Sequence, residues 1–213
     1  MSGDFCDTDD DTGDFEFERK FFVAEMPAVA AADPSPVLIA QAYLFAADGY
    51  AVRVRVQGPA PTDPQGSPAE LVTRLGEETI GTMTAKGPAV GGTRYEAERQ
   101  IDPVVAGEII ARAPHVVIKI RSSVWLGQDG WTIDRFLGAN EPLILAEVER
   151  NTPVVDLEIP AFCVTEVSED DRFRNEYLAF HPFAGWAEEY RRELDRVGPR
   201  FLESLGRNQF EDH

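Results

Sequence analysis

The chain has 213 residues, 43% hydrophobic and 27% charged, and its 38 acidic against 20 basic residues give a net charge of −18. That length allows one domain with a substantial core, no apolar run approaches the ~20 residues that span a bilayer, and the negative surface disfavours polymeric nucleic acid and anionic membrane as partners. With no basic-then-apolar leader, and with Cys6 and Cys163 supplying neither a disulfide framework nor a metal-ligand spacing, a cytoplasmic protein is expected.

In chain order, residues 1–14 (MSGDFCDTDDDTGD) read as a disordered acidic leader. Asp7, Asp9 and Asp11 supply the alternating ligands of a calcium loop but not the rest of its pattern. From residue 15, short alternating runs punctuated by turn residues predict eight strands, over 15–23, 37–46, 50–57, 81–86, 93–100, 116–124, 130–136 and 143–150. Short connections make most neighbours antiparallel. The Pro/Gly-rich stretch 58–80 contains ELVTRLGEE, expected as a short helix and a lid over one barrel mouth. IDPVVAGEIIARA (101–113) predicts a packing helix over 102–113, with Val105, Ile109 and Ile110 on one face. Beyond 166 the pattern turns helical, with Ser168 as N-cap of EDDRFRNEYLAF and an amphipathic tail over 183–205 broken at Gly198-Pro199.

Residues two apart in a strand share a face, and here the charges fall on one face repeatedly. Glu16, Glu18 and Lys20 alternate with Phe15, Phe17 and Phe21; Arg53 and Arg55 with Val52, Val54 and Val56; Lys119 and Arg121 with Ile118 and Ile120. Arg94, Glu96 and Glu98, then Thr82, Thr84 and Lys86, then Thr132 and Asp134, then Glu147 and Glu149 repeat the pattern. An ordinary solvated face mixes neutral polar residues with scattered charge, whereas here nearly every strand offers an acid pair, a base pair, or both in sequence. If the sheet closes with these faces inward, seven acids and seven bases meet inside. Burying ions costs several kcal/mol each, so such an interior points to a ligand. Arg and Lys suit phosphate oxygens and carboxylate pairs suit Mg²⁺ or Mn²⁺, the requirement of metal-assisted phosphoryl transfer.

These residues resemble the CYTH, or triphosphate tunnel metalloenzyme, superfamily, whose entry signature Glu-x-Glu-x-Lys here reads Glu16-Phe17-Glu18-Arg19-Lys20. The likeness extends through QAYL, VRVRV, TAKG, RYEAE, IKIR, GWTIDRF, LAEVE and EVSEDDRFRNEYLA, over about residues 15–182. It implies a mainly β fold, an eight-stranded antiparallel closed β-barrel with peripheral and C-terminal helices, acting on a triphosphate with Mg²⁺ or Mn²⁺. By position it implies Glu16, Glu18, Glu147 and Glu149 as metal ligands and Lys20, Arg53, Arg55, Lys86, Lys119 and Arg121 as phosphate ligands. Arg94 joins the bases of that face, Glu96, Glu98 and Asp134 fit second-shell or second-metal places, and Glu16, Glu18 and Lys20 take the catalytic ones. Three positions depart from the family pattern: Ala42 stands where QGYL has glycine, 58–80 replaces a tight hairpin, and Arg150 follows the last acidic pair.

The domain reading is therefore a leader (1–14), a tunnel domain (15–182) and a helical C-terminal segment (183–213) packed on it, with homodimerisation left open. Hydrolysis of inorganic triphosphate to pyrophosphate and phosphate is the first expectation. Adenylyl cyclase or thiamine triphosphatase activity and a non-catalytic polyphosphate- or nucleotide-binding role are the alternatives. Nothing commits Trp125, Trp131 or Trp186 to a nucleobase, and His115, His181 and His213 are not clustered with the acids.

Overall fold

The computed structural model describes residues 17–90 and 93–210. The leader, Glu16 and His213 lie outside these, as does the side chain of Arg94.

All eight strand expectations are met where described: β1 (Phe17–Val23), β2 (Val37–Ala47), β3 (Tyr50–Pro59), β4 (Ile80–Val90), β5 (Thr93–Ile101), β6 (Val116–Leu126), β7 (Asp129–Phe136) and β8 (Ile144–Arg150). Three short strands escaped the sequence reading: β9 (Glu158–Ile159), β10 (Cys163–Glu166) and β11 (Gln209–Phe210). Runs of two to four residues carry too few alternations to show a period.

The main sheet has nine strands in the order β10-β1-β8-β7-β6-β2-β3-β4-β5, with antiparallel ladders throughout. It is not the closed eight-stranded barrel expected. Closure needs β5 to bond along β1, but β10 takes that edge of β1, pairing Phe21 with Glu166, and β5 ends the sheet. Exposed Glu96, Glu98, Arg99 and Gln100 line β5, and charge on an edge strand discourages pairing with another chain.

One face of the sheet is apolar and covered in two patches. Leu38, Ala40, Val54, Val56, Ile118 and Ile120 pack under two helices that include Leu71 and Ile110, whereas Phe21, Trp131, Ile133, Ala146 and Val148 pack under the segment that includes Val154, Leu157, Ile159 and Cys163. Helix α1 (Ala28–Ala31) is a single turn. Helix α2 (Pro68–Thr73) starts in a capping box in which Ser67 and Glu70 satisfy each other's backbone donors. It is not the expected lid: Leu71 is buried in the apolar patch, against α3 and opposite the charges. Helix α3 (Pro103–Arg112), capped by Asp102, buries Ala106, Gly107 and Ile110, while Val105 is exposed. The expected face is thus rotated by one residue. Close approach at small residues sets it, because a Cβ on Gly81 would lie 2.9 Å from the Ile101 carbonyl and 3.0 Å from Pro103 Cα.

The C-terminal helices lie on the charged face. Helix α4 (Asn175–Phe180), the turn at 183–185 and helix α5 (Ala187–Val197) bury Leu178, Phe183, Ala187 and Tyr190 against Phe22, Tyr43, Ala51, Val117, Phe136 and Leu145. Each of these six strand residues shares a face with the charges and sits at the same end of it, so the helices form a plug there. Helix α5 ends at Gly198, whose φ of 75° favours glycine. Ser168 is not the expected cap: Asp170 caps the turn at 171–173, and the Ser168 hydroxyl is engaged by β1. No helix among the described residues is long and apolar enough to cross a membrane.

Phe183 is 1% exposed and packs on Trp186 at 4.7 Å and Tyr190 at 6.3 Å between centroids. Phe183→Ala is expected to cost about 3–5 kcal/mol of stability, read from urea unfolding.

Candidate active site

The ladders show why one face collects the charge. Lys20 stands opposite Glu147, Glu147 opposite Thr132, and Arg121 opposite Asp134. On the other half Gln41 faces Arg55, Tyr43 faces Arg53, Arg53 faces Thr84, Thr84 faces Glu98 and Lys86 faces Glu96. Every expected site residue whose side chain is described lies on this one face.

These residues fall into two groups. Across β1, β8, β7 and β6 runs a continuous ionic network. Lys20 Nζ contacts Glu18 (2.9 Å) and Glu147 (3.1 Å), Arg121 contacts Glu147 (2.9 Å) and Asp134 (2.6 Å), and Lys119 closes on Asp134. Asp134 is fully buried. Burial alone would raise its pKa, yet Lys119 and Arg121 hold it down at about 2. Burial likewise opposes the charge on Lys20, and Glu147 with Glu18 more than restores it, raising its pKa. Glu147 is lowered: burial pushes it up, and Lys119 and Lys20 outweigh that.

The second group spans β2 to β5. Arg53 donates to Thr84 (3.0 Å) and to Glu98 (3.3 Å), and Lys86 bonds Glu96 (2.7 Å). Among the described residues Arg55 contacts no carboxylate within ion-pair distance; its hydrogen bond there is to the Gln41 side-chain oxygen, at 3.4 Å. Burial lowers its pKa, and neighbouring Arg53 and Arg121 lower it further. Among the described residues, five buried side-chain atoms have no hydrogen-bond partner, and four of them cluster here: Gln41 Nε2, Arg53 Nε, Arg55 Nε and Thr82 Oγ1. All four can donate, and unmet buried donors cost about 1–3 kcal/mol each. Their shared need is for hydrogen-bond acceptors, beside two guanidinium charges.

Gln41 and Tyr43 were not among the expected site residues. The signal was a lone glutamine inside the apolar run VLIAQAYLFAA, and Tyr43 stands opposite Arg53 in the ladder at the edge of the plug. The other predicted residues sit as follows. Glu149 is exposed and directly opposite Glu18. Arg150 forms a bidentate pair with Asp129 and points away from this face. Trp131 is in the opposite core, Trp186 is in the plug, and Trp125 is 79% exposed over Gly130. His115 and His181 stack on Phe180 and Tyr177.

The donor set suits a hard divalent cation. Glu18 and Glu149 oppose each other across the ladder with Glu147 two positions on, and facing carboxylates repel unless a cation lies between them. Among the described residues no three metal-ligating groups converge. Glu147 is instead turned to Lys20 and Arg121.

No family model matches the chain. The chain is 30% identical over 176 residues to an inorganic triphosphatase of Acetivibrio thermocellus, a match covering 81% of this chain and 98% of that protein. It also resembles the crystal structure of the inorganic triphosphatase NE1496, with a TM-score of 0.55 and 29% identity over 78% of this chain and 94% of that one. A second crystal structure, of the hypothetical protein NE1496, gives a TM-score of 0.54 at 29% identity, covering 78% and 97%.

Two outcomes follow for the network. Lys119→Met removes one of the two cations that bond the buried Asp134 and leaves Arg121 as its partner, so it is expected to destabilise the fold by about 1.5–3 kcal/mol in denaturant unfolding. Because the Asp134 pKa is depressed in the folded state, its ionisation contributes stability in full above about pH 4, the unfolded value. That contribution is lost as pH falls through about 2, the folded value. Carboxyl-carbon NMR should show Asp134 still ionised at pH 3, where most surface carboxylates are protonated.

Proposed function

Because the chain belongs to the CYTH, or triphosphate tunnel metalloenzyme, superfamily, we propose that it hydrolyses inorganic triphosphate to pyrophosphate and phosphate. The observation that carries this reading is the cluster of unpartnered buried donors on Gln41, Arg53, Arg55 and Thr82. Phosphate oxygens meet that demand with several acceptors on one elongated anion, and a guanidinium binds two of them at once. Lys20, Lys119, Arg121 and Lys86 supply further positive charge along the same face, and Arg94 is read as a further phosphate ligand from its place in the sequence.

The carboxylates take the other half of the task. Glu18, Glu147 and Glu149, together with Glu16, would hold Mg²⁺ or Mn²⁺; the ion, when bound, would neutralise phosphate oxygens and acidify an attacking water. Glu18 is the more accessible of the described acids of the network, its side chain 40% exposed against 13% for Glu147 and 0% for Asp134. It can take a proton from a water that attacks the terminal phosphorus while the anhydride P–O bond breaks and pyrophosphate departs. Lys20, held between Glu18 and Glu147, presents its ammonium to the oxygens on which charge grows. Asp134 makes no such approach; it fixes Lys119 and Arg121, and Glu98 does the same for Arg53, while Glu96 restrains Lys86. The plug closes one end of the face and excludes water from it. We place the enzyme in the cytoplasm, with a small triphosphate as its partner.

The direct test is phosphate release from inorganic triphosphate, thiamine triphosphate and ATP with Mg²⁺ or Mn²⁺. Metal-dependent release from inorganic triphosphate is expected; no release from any of the three overturns the reading. Glu18→Gln should abolish metal-dependent turnover with the fold retained by circular dichroism, and Arg55→Ala should lower kcat/KM about a hundredfold. Wild-type rates in Glu18→Gln would show the carboxylate assignment to be wrong.

A further inference from the structure

The main-chain groups of Lys20 turn away from β8 and bond outside the regular ladder. Its N–H donates to Ser168 Oγ at 2.9 Å, and its carbonyl accepts from the Val167 N–H at 2.8 Å. The Ser168 hydroxyl in turn donates to Glu166 Oε1 at 2.8 Å. Glu166 is saturated: Arg19 Nε and Nη2 reach its two oxygens at 2.9 and 2.6 Å, and the Leu202 N–H adds a bond at 2.9 Å. Arg19 Nη1 also donates to Asn208 Oδ1 at 2.9 Å, which ties in the C-terminal segment. The side chains of this ion pair are only 1% and 2% exposed.

An ion pair this deeply buried is a poor device for stability alone, since apolar replacements of similar volume are often as stable or more so. What the pair does supply is direction. Arg19 lies between Glu18 and Lys20 in sequence and points to the opposite face, so the pair pins β1 from behind. Ser168 passes that constraint to the peptide nitrogen of Lys20. The β1–β10 ladder reaches only to Phe21, so Lys20 lies just past the last residue it holds.

We propose that Glu166 and Ser168 are positioning residues for Lys20, with Arg19 holding the orientation of Glu166. The clamp keeps the Lys20 main chain in the one conformation that sets its ammonium between Glu18 and Glu147, facing the phosphates. This role rests on Lys20 as a phosphate-binding group.

The test is a double-mutant cycle on the full chain with inorganic triphosphate as substrate. Ser168→Ala is expected to lower kcat/KM about tenfold, Ser168→Thr to restore it, and Ser168→Ala to add nothing in a Lys20→Met background, because residues acting through one group are not additive. A wild-type rate in Ser168→Ala overturns the proposal, as does a full tenfold penalty on top of Lys20→Met or a threonine variant as impaired as the alanine. Amide hydrogen exchange at Lys20, followed by NMR, examines the clamp without substrate. It should quicken at least about tenfold in Ser168→Ala and stay slow in Ser168→Thr. If no variant and no wild-type protein hydrolyses triphosphate, the triphosphatase reading fails; equal exchange rates in wild type and Ser168→Ala sink the clamp itself.

Discussion

Asp134 is fully buried and charged, and it stays so because Lys119 and Arg121 both bond it. That constraint shapes the rest of the molecule. Two cations and an acid can share the inside of a sheet only where each finds partners at ladder spacing, and the antiparallel register of β6, β7 and β8 provides that spacing. The opposite face must then carry the apolar burial that holds the sheet together, and it does so with Phe21, Ile133, Ala146 and Val148 on one side and Leu38, Val54, Val56 and Ile120 on the other. Apolar burial and ionic pairing thus occupy opposite faces of the same strands.

Along the charged face the balance of sign shifts. Among the described residues, each base near β1 and β8 contacts an acid, whereas near β2 and β3 Arg55 has a long bond to Gln41 and several donors lack acceptors. A face that satisfied itself everywhere would have no affinity left for an anion. One left wholly unsatisfied would repel itself, as Arg53 and Arg121 already do toward Arg55. The arrangement combines a half whose charges are paired with a half whose donors are left open, and the C-terminal plug shuts the end of the face where Phe22, Phe136 and Leu145 meet α4 and α5.

Much of this was legible from sequence because the period of a strand is local. The alternation of Arg53 and Arg55 with Val52, Val54 and Val56, or of Lys119 and Arg121 with Ile118 and Ile120, assigns a face whatever the partner strand. Gln41 was overlooked because a single polar residue in an apolar run has no period of its own. Val105 was placed inside because helical periodicity marks a stripe and not its centre; contacts at Ala106, Gly107 and Gly81 set the rotation. The segment 58–80 was taken for a lid because composition marks an insertion without saying which face it lies on, and Leu71 settles it on the apolar one.

The amino-acid sequence by itself determined the eight long strands, the charge on one face of seven of them and the resemblance to the triphosphate tunnel superfamily, all of which depend on neighbours within a few residues. Only the tertiary structure decided that β10 rather than β5 borders β1, that Asp134 pairs two bases while Arg55 reaches Gln41, and that Ser168 binds the Lys20 backbone instead of capping a helix. Each of those is a choice among partners far apart in the chain, such as Lys20 and Ser168 across 148 positions. Competition for such partners is settled by which surfaces are buried together, and no local period encodes it.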